Sequence, residues 1–223
     1  YAEEVQRRIV LHYLASISLI DDNVGMLLTT LRECGQLEDT LIIFTADHGE
    51  FLGNHGLLRK PSLHYDEVLR VPLLLRLPER IARREVGLVE LIDVMPTCLG
   101  LLDIAASPGI QGRDWSAALR AGTAIGREDI YAEMHDLDPM LFATAAGPYG
   151  AACTLRTGDW KLTVYPTAGR QYGQLFNLRD DPDETRNLYA DPAAREQRDA
   201  LLWRLFQRRF TNADPLPLRL TQW

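Results

Sequence analysis

The sequence lacks the cysteine spacing of a metal cage. Its three cysteines, Cys34, Cys98 and Cys153, lie far apart. No C-x-x-C pair occurs, which argues against a zinc site built from thiolates, and an odd, scattered set does not make a disulfide framework. A reducing compartment is compatible with these cysteines but not required; the compartment stays open, with a lean to the cytoplasm, and any export signal would lie upstream of Tyr1. There is no excess of positive charge either. Twenty-four Lys and Arg against 31 Asp and Glu leave a formal charge of −7, which argues against nucleic acid as a partner, since that needs a basic surface. No unbroken apolar run reaches the roughly 18–20 residues needed to cross a bilayer, so no membrane span is expected. No signal-peptide pattern opens the chain, because Tyr1-Ala2-Glu3-Glu4 leads straight into a charged helical pattern. An initiator methionine is also missing, and the natural N-terminus is expected upstream. Internal repeats and low-complexity tracts are absent, which excludes solenoids and disordered tails.

What is present is ordinary globular composition over 223 residues, enough for one large domain or a domain with an appendage. Apolar residues from Val5 to Leu31 recur every three to four positions, predicting a long amphipathic helix over 5–34 that stops at Gly35. Leu41–Thr45 is short, β-branched and apolar throughout, the pattern of a parallel strand covered on both faces. A short helix over Ser62–Leu69, a strand over Val71–Leu77 and a helix over Glu90–Leu102 follow. Asp93 is a candidate cap for the last of these, and Pro96 sits in its first turn. Past residue 125 the pattern changes to short strands at Ile130–Met134, Ala152–Thr157, Trp160–Tyr165 and Gln174–Leu178, then a helix over Ala193–Arg209. Thr157-Gly158-Asp159 reads as a hairpin turn. Arg195, Arg198, Arg204, Arg208 and Arg209 read as a solvated face of the final helix. The fold class is therefore α/β, with an α/β part over 1–125 and an antiparallel sheet with one covering helix over 126–223.

The chemistry-bearing residues crowd behind the first strand. Asp47 and His48 leave its C-terminal end, where open α/β sheets place ligands. A carboxylate oxygen and an imidazole nitrogen are natural donors to a divalent cation. Lys60, on the same loop, would hold an anionic group as a point charge. His55 is either a proton donor or anion contact, or a histidine pinning its own loop. His64 and Tyr65 read as packing and capping residues.

These residues carry a resemblance. Thr45-Ala46-Asp47-His48-Gly49-Glu50-x-Leu52-Gly53-x-His55-Gly56-Leu57-x-x-Lys60 resembles the C-terminal metal and substrate segment of the type I sulfatases, within the alkaline phosphatase-like superfamily. The flanks agree, in order: Asp21-Asp22-Asn23-Val24-Gly25, Arg70-Val71-Pro72-Leu73, Asp93-Val94-Met95-Pro96-Thr97, Leu155-Arg156-Thr157-x-x-Trp160-Lys161, and the run from Leu175 to Leu188. The resemblance implies a partial alkaline-phosphatase-like sandwich followed by a small C-terminal subdomain. It implies Asp47 and His48 as metal ligands, most often for Ca2+, with Mn2+ the alternative in related phosphonate hydrolases. It implies Lys60 on the oxygens of the transferred group, and it gives His55 a position that is often histidine.

Parts of the family pattern are missing. The family's nucleophile is a formylglycine made from a Cys or Ser inside C/S-x-P/A-x-R. Cys34, Cys98 and Cys153 are followed by Gly35, Leu99 and Thr154, and none fits. The aspartate pair that completes the family's metal site is missing too, since Asp21-Asp22 falls mid-helix. Two ligands do not fill a calcium shell, so the chain alone is expected to be inactive. The expected partners are a small-molecule or saccharide sulfate ester, the N-terminal half of the same domain and, where copies assemble, a homo-oligomer. A phosphonate monoester or phosphodiester hydrolase and a non-catalytic binding or assembly module are the competing readings. Asp136–Gly150, with Met140, Phe142 and Tyr149, reads either as a substrate-cleft loop or as a variable surface loop.

Overall fold

The computed structural model describes residues 3–61, 63–79, 81, 87–135, 151–166, 168 and 172–212. The loop Asp136–Gly150 lies outside the described residues. The chain forms two compact units, Tyr1–Pro61 with Tyr65–Glu79, and Ser62–His64 with Arg80–Trp223. The boundary read from the sequence lies at about residue 125, whereas the contacts divide near residue 80. The reason is that the segment from Glu90 to Trp115 is bonded to the strands that follow: Glu90 accepts from the Tyr131 amide at 2.7 Å, and Asp93 pairs with Arg127.

In the first unit, helix α1 spans Glu3–Glu33. Acids in its first turn and Arg32 in its last complement the helix dipole. Gly35, at φ 68°, ends it, and the Gln36 amide bonds back to Leu31 O at 2.9 Å, a closure that needs a left-handed residue. Many of its apolar side chains are exposed, among them Leu19 at 63% and Leu27 at 65%. Among the described residues α1 is long and apolar enough, by length and composition, to cross a membrane. No unbroken apolar run marks this helix in the sequence, because His12, Ser16, Ser18 and the Asp21-Asp22-Asn23 run interrupt it while its mean hydropathy stays high.

Strand β1, Ile42–Thr45, pairs with strand β2, Leu73–Arg76, in antiparallel register from Ile42↔Arg76 to Thr45↔Leu73. This corrects the parallel, doubly covered strand read from the sequence. An all-apolar run records the lack of a polar face but carries nothing about a neighbour's direction, and Ile43, Phe44 and Leu74 are exposed here. The helix expected from residue 62 is a single turn, α2, Asp66–Leu69.

The second unit opens with a 3-10 turn at Leu91–Asp93 running into α3, Val94–Leu101. A further helix, α4, Ser116–Ala121, went unread in the sequence. Then β3, Asp129–His135, β4, Ala151–Thr157, β5, Trp160–Val164, and β6, Gly173–Asn177, form one antiparallel sheet in chain order. Helix α5, Arg195–Thr211, covers it: Leu201 and Leu205 close a core with Leu155, Leu162 and Leu175. The arginines of α5 are not uniformly solvated. Arg204 pairs with Asp129, Arg209 pairs with Glu133, and Arg208 reaches Glu90 at 2.5 Å and Asp129 at 3.2 Å. They join the helix to β3 and to the residues preceding α3.

Candidate active site

The loop from Ala46 to Lys60 is built almost entirely by its own backbone and two carboxylates. Gly49 N donates to Val68 O at 2.9 Å. A Cβ on Gly49 would lie 1.8 Å from Glu67 O, so only glycine permits that approach. The Glu50 carboxylate takes the amides of Leu52, at 3.1 Å, and Arg59, tying the loop's start to its end. Phe51 N bonds Arg59 O at 3.2 Å, and the Phe51 ring is fully buried. Leu52, His55 and Arg59 all adopt left-handed φ values, 50°, 53° and 64°. Each such non-glycine residue costs on the order of 1–3 kcal/mol. Glu50 had no separate role in the sequence reading; its place directly after Gly49 in the ordered motif was the available signal.

Three of the residues singled out from the sequence meet on this loop. His48 Nδ1 lies 2.8 Å from Gly49 O. A carbonyl only accepts, so Nδ1 carries the proton and Nε2 presents its lone pair. Lys60 Nζ stands 2.5 Å from that Nε2, and Asp47 Oδ2 stands 3.5 Å from it. The Asp47 side chain is 86% exposed. The backbone N–H of His48, with the Lys60 ammonium adding to it, holds its carboxyl below the usual range, against a smaller opposing effect of burial.

This donor set fits a divalent cation. It offers one ionised carboxylate and one imidazole nitrogen, whose lone pair a bound cation would take over from Lys60 Nζ, and the other ring N–H is donated to a backbone carbonyl, the support that metal-binding histidines usually have. It does not complete a site, because no group of three or more His, Cys, Asp or Glu suited to a metal occurs among the described residues.

His55 is placed differently. Its Nε2 lies 3.3 Å from Glu67 Oε1 and its side chain is only 17% exposed. Its ring lies 4.1 Å from Tyr65 and edge-on to Phe51. These contacts tie the loop at His55 to Tyr65 and Glu67 at the start of α2. His64 is buried, and Tyr65 precedes α2 without a side-chain cap bond.

Residues 1–104 match the protein family described as Sulfatase, and residues 53–211 match the one described as N-sulphoglucosamine sulphohydrolase, C-terminal. The second match alone covers well over half of the chain. The chain belongs to the sulfatase family. This sulfatase chain is similar to arylsulfatase K of Bos taurus, 32% identical over 194 residues, which is 85% of the chain and 35% of the relative. It also resembles the solved structure of BT4656 in complex with its substrate D-glucosamine-2-N,6-O-disulfate, at 25% identity and TM-score 0.77, covering 94% of the chain and 42% of that protein. The phosphonate monoester hydrolase from Silicibacter pomeroyi is 29% identical with TM-score 0.75, over 88% of the chain and 40% of that protein. The sulfatase chain thus spans about a third of the length of the curated relatives it matches. Its fold is the alkaline-phosphatase-like α/β fold of these neighbours, and α1 lies inside the matched sulfatase region.

Proposed function

We propose that this chain is the C-terminal part of a sulfuric ester hydrolase. The observation that carries the reading is the meeting of Lys60 Nζ with His48 Nε2 at 2.5 Å, beside Asp47 Oδ2, on one tightly stapled loop. Asp47 and His48 would hold a divalent cation, Ca2+ foremost and Mn2+ as the alternative. When bound, that cation supplies charge neutralisation and polarisation of the ester oxygens. Lys60 would grip the anionic group through its ammonium and stabilise charge that develops on it. Gly49 O takes the Nδ1 proton of the His48 ring, and the Glu50 carboxylate ties the Arg59 amide, next to Lys60, back to the start of the loop. The formylglycine nucleophile, the remaining metal ligands and the acid for the leaving group would come from the N-terminal half of the same domain. That half would also cover the exposed apolar residues of α1, β1 and β2. The substrate class is a small-molecule or saccharide sulfate ester, in line with the sulfated glucosamine in the structurally similar complex.

A second reading, a phosphonate monoester or phosphodiester hydrolase, draws on the similarity to the Silicibacter enzyme and on the imidazole donor, which is more at home with manganese than with calcium. The deciding experiment assays the full-length protein on 4-nitrophenyl sulfate and on a phenylphosphonate monoester, each with Ca2+ or Mn2+ restored after chelation. The account expects sulfate hydrolysis to dominate and to be lost on chelation. Dominant phosphonate turnover would transfer the same site to the second reading. Turnover of neither ester would leave a binding or assembly module.

A further inference from the structure

The loop that carries the candidate site divides into a stem and a lobe. The stem, Asp47–Gly49, follows β1, and its Gly49 amide donates to Val68 O of α2 at 2.9 Å. The lobe, Glu50–Arg59, closes on itself. The Glu50 carboxylate accepts from the amides of Leu52 and Arg59. Phe51 N bonds Arg59 O at 3.2 Å, and Gly53 N bonds Leu57 O at 2.8 Å. All of these bonds run within the lobe, so they make it one piece without orienting it against the stem. Lys60 continues directly from the lobe, whereas Asp47 and His48 sit on the stem.

One residue touches both parts. The Glu67 carbonyl lies so close to Gly49 that a Cβ there would come within 1.8 Å of its oxygen. The Glu67 carboxylate faces the tip of the lobe. Its Oε1 accepts from Asn54 Nδ2 at 3.1 Å and lies 3.3 Å from His55 Nε2. The His55 and Glu67 side chains are 17% and 21% exposed, so water and salt screen this pair only in part. His55 holds a left-handed φ of 53°, which a non-glycine residue keeps only where its surroundings impose it. Glu67 and the Tyr65 ring, 4.1 Å from the imidazole, are those surroundings. We infer that Glu67 is a positioning residue that sets the lobe leading into Lys60 against the stem bearing Asp47 and His48. The consequence for turnover rests on the function proposed above.

The test uses the full-length protein with Glu67→Ala, Glu67→Gln and His55→Ala, each alone and combined with Lys60→Ala. In Glu67→Ala, amide hydrogen exchange across residues 52–58 is expected to speed up by about tenfold or more while β1 and β2 stay protected. kcat/KM for 4-nitrophenyl sulfate is expected to fall on the order of 10- to 100-fold, the scale of a small misplacement of a contact group. On the Lys60→Ala background the same substitution should cost less than about twofold, because its effect runs through Lys60. His55→Ala removes the other side of the contact and should show the same two changes. Glu67→Gln keeps an acceptor oxygen for both donors and should retain most of the activity. Unchanged exchange in 52–58, undiminished turnover in Glu67→Ala, or equal losses with and without Lys60, would overturn the inference. If Glu67→Ala does not fold, His55→Ala supplies both readouts. If phosphonate turnover dominates, the same ratios are read on that ester. If the wild type cleaves neither ester, the proposed function fails, and exchange alone decides whether Glu67 holds the lobe.

Discussion

Burial, and then the Lys161 ammonium, push the His64 ring down to a pKa of about 4 from 6.5. Between those values the unfolded chain binds a proton that the folded chain refuses. Stability therefore rises with pH across that window: it is fully present above about pH 6.5 and drains away as the pH falls toward 4. The full difference is worth roughly 3 kcal/mol. Urea melts of the full-length protein at pH 7 and pH 4.5 should show a larger loss for wild type than for His64→Gln. Equal losses would mean that His64 is protonated in the folded state. At this scale the sequence was legible in part. Asp47, His48 and Lys60 stand in one ordered motif, and the structure brings them together. The tautomer of His48 rests on Gly49 O, which no residue identity reveals. The partner of His64 lies 90 positions away on another strand, and nothing local to His64 encodes it.

The elements of the second unit are held by charges as much as by apolar packing. The Arg127 guanidinium, 4% exposed, pairs with Asp93, 3% exposed, and reaches Glu90 at 3.2 Å. Asp93 also accepts from Arg113 N at 2.7 Å and Trp115 Nε1 at 3.2 Å. The sequence marked Asp93 as a helix cap. The residue does stand at the N-cap position of α3, but its carboxylate makes no cap bond to that helix: it accepts from the Glu90 amide at 3.2 Å in a capping box of the preceding turn, and from Arg127 and the Arg113–Trp115 turn. Removing one side of such a pair leaves a buried charge, so Arg127→Ala should cost about 3–5 kcal/mol in urea denaturation. A loss under about 1 kcal/mol would show that water repairs the gap. The strands of this unit were legible because alternation, turn residues and short length agree over 129–178. The direction of β1 against β2 was not, because an apolar run has no polarity along the chain. The α5 arginines misled for a related reason: a charge on a helix reads as solvated until the facing acids, Glu90, Asp129 and Glu133, are brought in from far along the sequence.

Across the whole chain, the sulfatase family match is the finding that organises the rest, and on the function proposed above the exposed apolar residues of α1, β1 and β2 and the pair Asp47 and His48 would be completed by further sulfatase residues. The order of motifs made that legible, since separate segments from Asp21 to Leu188 fall in family sequence. Substrate and the identity of the proposed metal were not, because Asp47, His48 and Lys60 suit more than one ester and more than one cation. The most direct measurement is kcat/KM for 4-nitrophenyl sulfate in the full-length protein, wild type against Lys60→Ala. The account predicts a fall of roughly 10²- to 10³-fold, as for loss of a group that stabilises developing charge, with Lys60→Arg retaining part of the activity. Undiminished turnover in Lys60→Ala would contradict the assignment of this loop to the anionic group.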